Sequence, residues 1–180
     1  MSAEQRRIAK AINFGLVFGQ SDFGLAQVLR IPRATAKAYI TSYFERYAGV
    51  RAYMERSIHE TRETGYVTTL LGRRRPIPEI LSRRPQERAH AERVARNTPI
   101  QGTAADLLKL AMIRVDAGLH DRWPTARLLL TVHDELVFEV EQGQVEAFTA
   151  WVRQQMESVH PLAVPLVVDV GAGRTWGEAH

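Results

Sequence analysis

Two apolar runs near the carboxyl end, Leu128–Val132 and Leu136–Val140, are separated only by His133, Asp134 and Glu135. Strands joined by so short a link pair antiparallel, because a parallel return needs a crossover of about a dozen residues or more. The segment therefore reads as a β-hairpin whose acidic tip is carried by buried flanks. Acids at a turn are ordinarily just solvated turn residues. Here the apolar flanks instead favour a strand pair that pushes the tip into a cleft. Carboxylates in that setting suit Mg²⁺, with substrate oxygens completing the shell. Neighbouring side chains on one strand alternate faces, so Asp134 and Glu135 cannot both serve one ion from the same strand. A two-ion site asks for another Asp from another strand. No second acidic strand of that type is evident; Asp169, in the strand-like run Val164–Val170, equally suits a surface.

Arg6, Lys10, Phe14 and Phe18 recur at i+4 near the amino end. On an α-helix each such step drifts by about 40°, so the four share a broad face. Asn13-Phe14-Gly15 sets a ring beside a glycine that permits close approach. Lys10, one turn earlier, could meet a phosphate while the ring stacks on a base or sugar. A basic amphipathic helix with a solvated face is the plainer reading of the same residues.

Helix signals fill the first two thirds. The first helix spans about 3–18, and Ser21 caps a short one through Leu29 and Arg30. Ile31-Pro32 breaks that helix and starts the next, about 33–47. Another, 50–64, ends at Gly65. Tyr66–Leu71 reads as a strand, followed by Gly72 and Arg73-Arg74-Arg75-Pro76 in a basic hairpin or loop. A polar helix at 86–97 is ended by Pro99, with Gln101-Gly102 at the joint. Thr103–Asp106 is then a variant capping box opening an apolar helix. A final helix at about 143–158 carries Val145, Phe148, Val152 and Met156 on one face.

Charge is unevenly spread. Residues 1–114 hold 20 Lys and Arg against 10 Asp and Glu, whereas 115–180 hold 4 against 10. A basic part joined to an acidic part fits a polyanion track leading to a metal site. Cysteine is absent, which excludes disulfide frameworks and thiolate metal sites and favours a cytoplasmic setting. No apolar run approaches the roughly 20 residues that cross a bilayer. No membrane partner is therefore expected.

Arg73–Arg75 and the arginines of 83–96 read most simply as phosphate-backbone contacts or a solvated basic surface. Asn97 and Gln101 can donate and accept at base edges or sugars, as a minor-groove check common to every base pair would need. A rival reading takes residues 23–44 as a helix-turn-helix, with Arg33, Thr35 and Lys37 on the second helix facing a groove. That rival leaves the hairpin acids, Asn97 and Gln101 without a role.

Taken together, five motifs in order resemble the C-terminal polymerase region of bacterial family A DNA polymerases, nearly end to end. They are Arg6-Arg7-x-x-Lys10-x-x-Asn13-Phe14-Gly15, Gly72-Arg-Arg-Arg75, Asn97-x-Pro99-x-Gln101-Gly-Thr-Ala-Ala-Asp106, Val132-His-Asp-Glu135 and Val164-Pro-Leu. The resemblance implies an α+β fold, with a helical fingers subdomain at 1–86 and part of an antiparallel β palm at 87–180. It implies that Arg6 and Lys10 hold a deoxynucleoside triphosphate, Lys10 also donating a proton to the leaving pyrophosphate. Phe14 and Phe18 complete the nucleotide site, Phe14 disfavouring sugars without a 3′-hydroxyl. Phe18 stands where the family usually has Tyr, which takes a hydroxyl from beside the templating base. Arg73, Arg74, Arg93, Asn97, Gln101 and His133 would contact primer–template DNA. Asp134, Glu135, Lys10 and His133 form the implied catalytic set, with Asp134 and Glu135 as ligands to a two-ion Mg²⁺ site. The strand with the other metal-binding Asp, and the thumb, would lie outside these residues. Little synthesis by this chain alone is therefore expected, as is self-association through an exposed palm edge.

Overall fold

The computed structural model describes residues 2–179. The chain divides into two compact units between Thr103 and Ala104.

In the first unit, α1 (Ala3–Val17) opens with a reciprocal cap. The Ser2 hydroxyl accepts from the Gln5 amide at 3.2 Å, and the Ser2 amide donates to Gln5 Oε1 at 2.8 Å. Two of the orphan amides at the helix start are thereby satisfied. Ser21 caps α2 (Asp22–Leu29), as its position before an apolar stretch predicts. Pro32 precedes α3 (Arg33–Arg46) as its N-cap, in an extended conformation at φ −57° and ψ 142°. It stands one residue earlier than the first helical position, and its carbonyl accepts from the Ala36 amide. Leu16, Leu25, Leu29 and Ala36 form one buried cluster, so α1, α2 and α3 share a core. Arg33 grips Asp22 at 2.8 Å and 3.2 Å. That guanidinium holds the Asp22 carboxyl below the usual carboxylate range.

The next helix, α4 (Ala48–Thr64), stops where Gly65 takes a left-handed φ of 76°, which costs glycine nothing. The strand expected over 66–71 is shorter. β1 (Tyr66–Thr68) turns at Gly72, whose φ is 82°, and pairs antiparallel with β2 (Arg74–Pro76). The Thr69 amide donates to the Arg73 carbonyl and the Gly72 amide to the Thr69 carbonyl. These bonds spend on a turn the groups a longer strand would need. A 3₁₀ turn at Pro78–Leu81 follows, and Val67, Ile77, Ile80, Ala91 and Ala95 form a second buried cluster.

Pro99 does not end a helix. One helix, α5, runs from Pro85 to Arg122 with Pro99 inside it, and Thr103–Asp106 opens nothing. A proline within a helix leaves the i−4 carbonyl without its donor. Here that carbonyl belongs to Ala95, and the buried Ser57 hydroxyl of α4 donates to it at 2.9 Å. The Thr103 hydroxyl, rather than capping, donates to the Pro99 carbonyl and accepts from the Leu70 amide. Ser57→Ala should therefore lower stability by about 1–3 kcal/mol, the cost of an orphaned buried acceptor. Urea unfolding of the variant checks this, and a loss below about 0.5 kcal/mol would show that Ser57 is dispensable.

In the second unit, the remainder of α5 packs with β3 (Arg127–Val132), β4 (Glu135–Glu139) and α6 (Val145–Glu157). Val115, Leu119, Ala126, Phe148, Trp151 and Val152 are buried together, with Trp123 and Phe138 packed against them. β3 and β4 are antiparallel, with a register irregularity between Leu128 and Leu130. Residues 142–144 form a 3₁₀ turn before α6, so the expected helix starts slightly late. The expected strand Val164–Val170 is absent: the segment is irregular among the described residues, and Val164, Val167 and Asp169 are exposed. A β-strand is stabilised by its neighbour's ladder, and the sheet here contains only β3 and β4. Leu129 and Leu130 are exposed on β3. A short helix, α7 (Trp176–Ala179), ends the described chain.

Candidate nucleotide and nucleic-acid interface

On α1 the expected face is present and open. Arg7 is occupied by Glu4 through two contacts, at 2.7 Å and 2.9 Å. Arg6 and Lys10 are exposed and form no ion pair among the described residues. Lys10 Nζ lies 5.8 Å from the Phe14 ring centre, and the Phe14 and Phe18 rings stack at 6.2 Å with 21° between their planes. Phe14 is 53% exposed, leaving its ring face open. The sequence thus builds two unspent cations and a half-open aromatic step on one helical face.

A tether that sequence reasoning missed holds this helix. The Tyr43 hydroxyl of α3 donates to Asn13 Oδ1 at 2.7 Å. Burial raises the Tyr43 pKa, so the hydroxyl keeps the proton it donates. Gly15 leaves room for Gln20, whose Oε1 would sit 2.0 Å from a Cβ there.

Arg73, Arg74 and Gln101 meet at one basin of about 390 Å³, together with Thr69, Arg75, Thr98 and Gly102. Gly102 is needed for this approach, since a Cβ there would lie 2.6 Å from Thr69 Cγ2. Arg75 reaches the Thr98 hydroxyl at 3.3 Å, and the Arg74 guanidinium lies over the Tyr66 ring at 4.8 Å. The threonines carry no motif of their own in the sequence. Asn97 Oδ1 is buried and accepts no hydrogen bond among the described residues. Arg93 is exposed on α5. Not every arginine in this stretch is available: Arg84 pairs with Glu87 at 2.7 Å, and Arg88 donates to the Ser82 carbonyl at 3.2 Å.

In the second unit, the hairpin tip is a two-residue turn, with Val132 and Glu135 as its closing pair. His133 takes a left-handed φ of 53°, a conformation that histidine tolerates better than β-branched residues do. His133 and Asp134 are exposed and Glu135 is half-buried. Asp134 thus lies in the turn and only Glu135 in a strand, so strict alternation does not separate them. Among the described residues no group of three His, Cys, Asp or Glu side chains is placed to hold a metal ion. The two carboxylates nonetheless have the right chemistry for Mg²⁺, which commonly takes one or two of them and fills its shell with water and phosphate.

The helix-turn-helix reading fares poorly. Arg33, which a groove reader would aim at DNA, is bound by Asp22, and Ala36 lies in the α1–α2–α3 core. Among the described residues no helix is long and apolar enough to cross a membrane.

Residues 1–178 match the family model for DNA polymerase family A. The chain is 51% identical to DNA polymerase I of Lactococcus lactis subsp. cremoris over 179 residues, covering 99% of this chain and 20% of that protein. It is likewise 51% identical to DNA polymerase I of Pseudomonas aeruginosa over 180 residues, again 20% of that protein. A solved structure of the POL domain of Pol1 from M. smegmatis, in complex with DNA primer-template and dNTP, aligns with a TM-score of 0.94 and 47% identity. That alignment covers 99% of this chain and 31% of the other. The chain therefore spans about a fifth of the length of the curated relatives it matches.

Proposed function

This chain belongs to DNA polymerase family A, and from that membership we propose that it supplies the nucleotide-binding and part of the catalytic surface of a template-directed DNA polymerase. The observation that carries the reading is the α1 face, where Arg6 and Lys10 stand unpaired beside the stacked Phe14 and Phe18. The reaction joins the primer 3′-hydroxyl oxygen to the α-phosphorus of a deoxynucleoside triphosphate, releases the hydroxyl proton and breaks the bond to pyrophosphate.

Arg6 and Lys10 hold the triphosphate through charge-assisted bonds, and Lys10 gives its proton to the departing pyrophosphate. Phe14 and Phe18 bear on sugar and base. Arg73, Arg74, Arg93, Asn97 and Gln101 bind the primer–template, the arginines through phosphates and the amides through groups every base pair shares. His133 lies at the primer end. Asp134 and Glu135 would hold Mg²⁺, which when bound supplies charge stabilisation to the phosphates. Residues 1–86 serve as fingers and 87–180 as part of the palm.

The 180 residues alone should bind DNA weakly, without preference for one duplex site, and with an affinity that falls steeply as salt rises. They should show little or no synthesis, because only two adjacent carboxylates occupy the tip. Fluorescence anisotropy across a salt series and a primer-extension assay on the purified chain check both. Sustained Mg²⁺-dependent extension would overturn the second expectation. A preference of several kcal/mol for one duplex sequence would instead favour the regulator reading.

A further inference from the structure

The end of α1 is built against a side chain that the proposed roles above leave unused. Phe18 caps the helix, the Gly19 amide donates to the Leu16 carbonyl at 3.0 Å, and Gly19 takes a left-handed φ of 81°. The last turn of α1 contains no basic residue, so its carbonyl end lacks a cation of its own. Arg96 of α5 stands there instead. A Cβ on Gly19 would lie 3.3 Å from both Cζ and Nη2 of Arg96, and 3.5 Å from Cγ of Arg93.

Arg96 is held from behind. Its Nε donates to the Glu92 carbonyl at 3.2 Å, while the Glu92 carboxylate is taken by Arg62 at 2.6 Å. Among the described residues Arg96 has no ion pair. Burial pulls its pKa below the ordinary value; the Glu92 charge opposes this and the neighbouring Arg93 charge adds to it. A half-buried guanidinium needs compensation, and the Glu92 charge supplies part of it. The end of α1, with its partial negative charge, lies beside the same guanidinium.

Resting on the reading of α1 as a nucleotide-binding helix, we propose that Arg96 is a positioning residue. Its guanidinium seats the Phe18–Gly19 elbow and thereby sets the Phe14–Phe18 ring pair for an incoming deoxynucleoside triphosphate. Gly19 suits its left-handed φ, and a Cβ there would press on the Arg96 guanidinium by a few tenths of an ångström.

The test uses the whole chain with Arg96→Met, which keeps the aliphatic length, and Arg96→Lys, which keeps the charge. Ring signals of labelled phenylalanine and exchange of the Gly19 and Gln20 amides are read first, without ligand. Mg²⁺-dATP affinity and the salt slope of DNA binding are read next. Arg96→Met should move both ring signals and speed amide exchange by about tenfold or more. It should weaken dATP binding by about tenfold through lost preorganisation, with the DNA salt slope unchanged. Arg96→Lys should restore most of each effect. Unmoved rings and unchanged exchange in Arg96→Met overturn the proposal. So does a salt slope reduced by about one with the rings unmoved, which would make Arg96 a DNA phosphate contact. If the parent chain binds no dATP, the polymerase reading falls, and the ligand-free signals still decide the role of Arg96.

Discussion

Lys10→Ala should weaken Mg²⁺-dATP binding by about 2 kcal/mol, roughly thirtyfold, the usual worth of a hydrogen bond to a charged group. Lys10 is the cation closest to the half-open ring step, 5.8 Å from the Phe14 centre. Its neighbour Arg7 is paired with Glu4. Alanine is the best helix former, so α1 should survive and the loss should report binding alone. Titration with a fluorescent deoxynucleotide, with circular dichroism as the control, makes the measurement. Lys10→Arg should keep most of the affinity. A change of less than about twofold in the alanine variant would remove Lys10 from the triphosphate site.

The largest structural effect is expected at Trp151. It is 8% exposed, with ring centres 6.0 Å from Trp123 and 5.9 Å from Phe148. Gly118 makes room for it, since a Cβ there would fall 2.4 Å from Trp151 Cζ2. Truncation to alanine removes the largest side chain of this cluster and leaves a cavity that α5, α6 and the β3–β4 hairpin cannot readily close. The expected loss is about 3–5 kcal/mol, a large part of the 5–15 kcal/mol typical of a whole domain. Near-UV circular dichroism during urea unfolding should show the aromatic signal lost at much lower denaturant. A loss under about 1 kcal/mol would mean that the cluster repacks around the gap.

Elements marked by local chemistry were legible in the sequence. Ser21 before an apolar stretch, Gly65 after a helical one, and a three-residue link between apolar runs each carry their own instruction. The α1 face follows from spacing alone, because four residues at i+4 must share a side of any helix. Elements that depend on distant partners were not legible. Pro99 reads as a stop until Ser57, 38 residues earlier, is seen donating to the Ala95 carbonyl. Val164–Val170 has strand composition, but composition supplies no neighbouring ladder. The Tyr43–Asn13 bond, the Arg96–Gly19 approach and the Thr69 and Thr98 lining likewise arise only once separate segments pack. Within the candidate site, residue types were therefore readable and their supports were not.

The two adjacent carboxylates of the acidic tip are anchored differently. Asp134 belongs to the turn, outside the strand ladder, whereas Glu135 begins β4 opposite Val132. A ligand in the turn can swivel to follow an ion or a substrate without unzipping the sheet. One rooted in the ladder keeps a constant reference as its neighbour adjusts. Were Asp134 and Glu135 to hold Mg²⁺ as proposed, a single peptide bond would set an adaptable oxygen donor beside a stationary one.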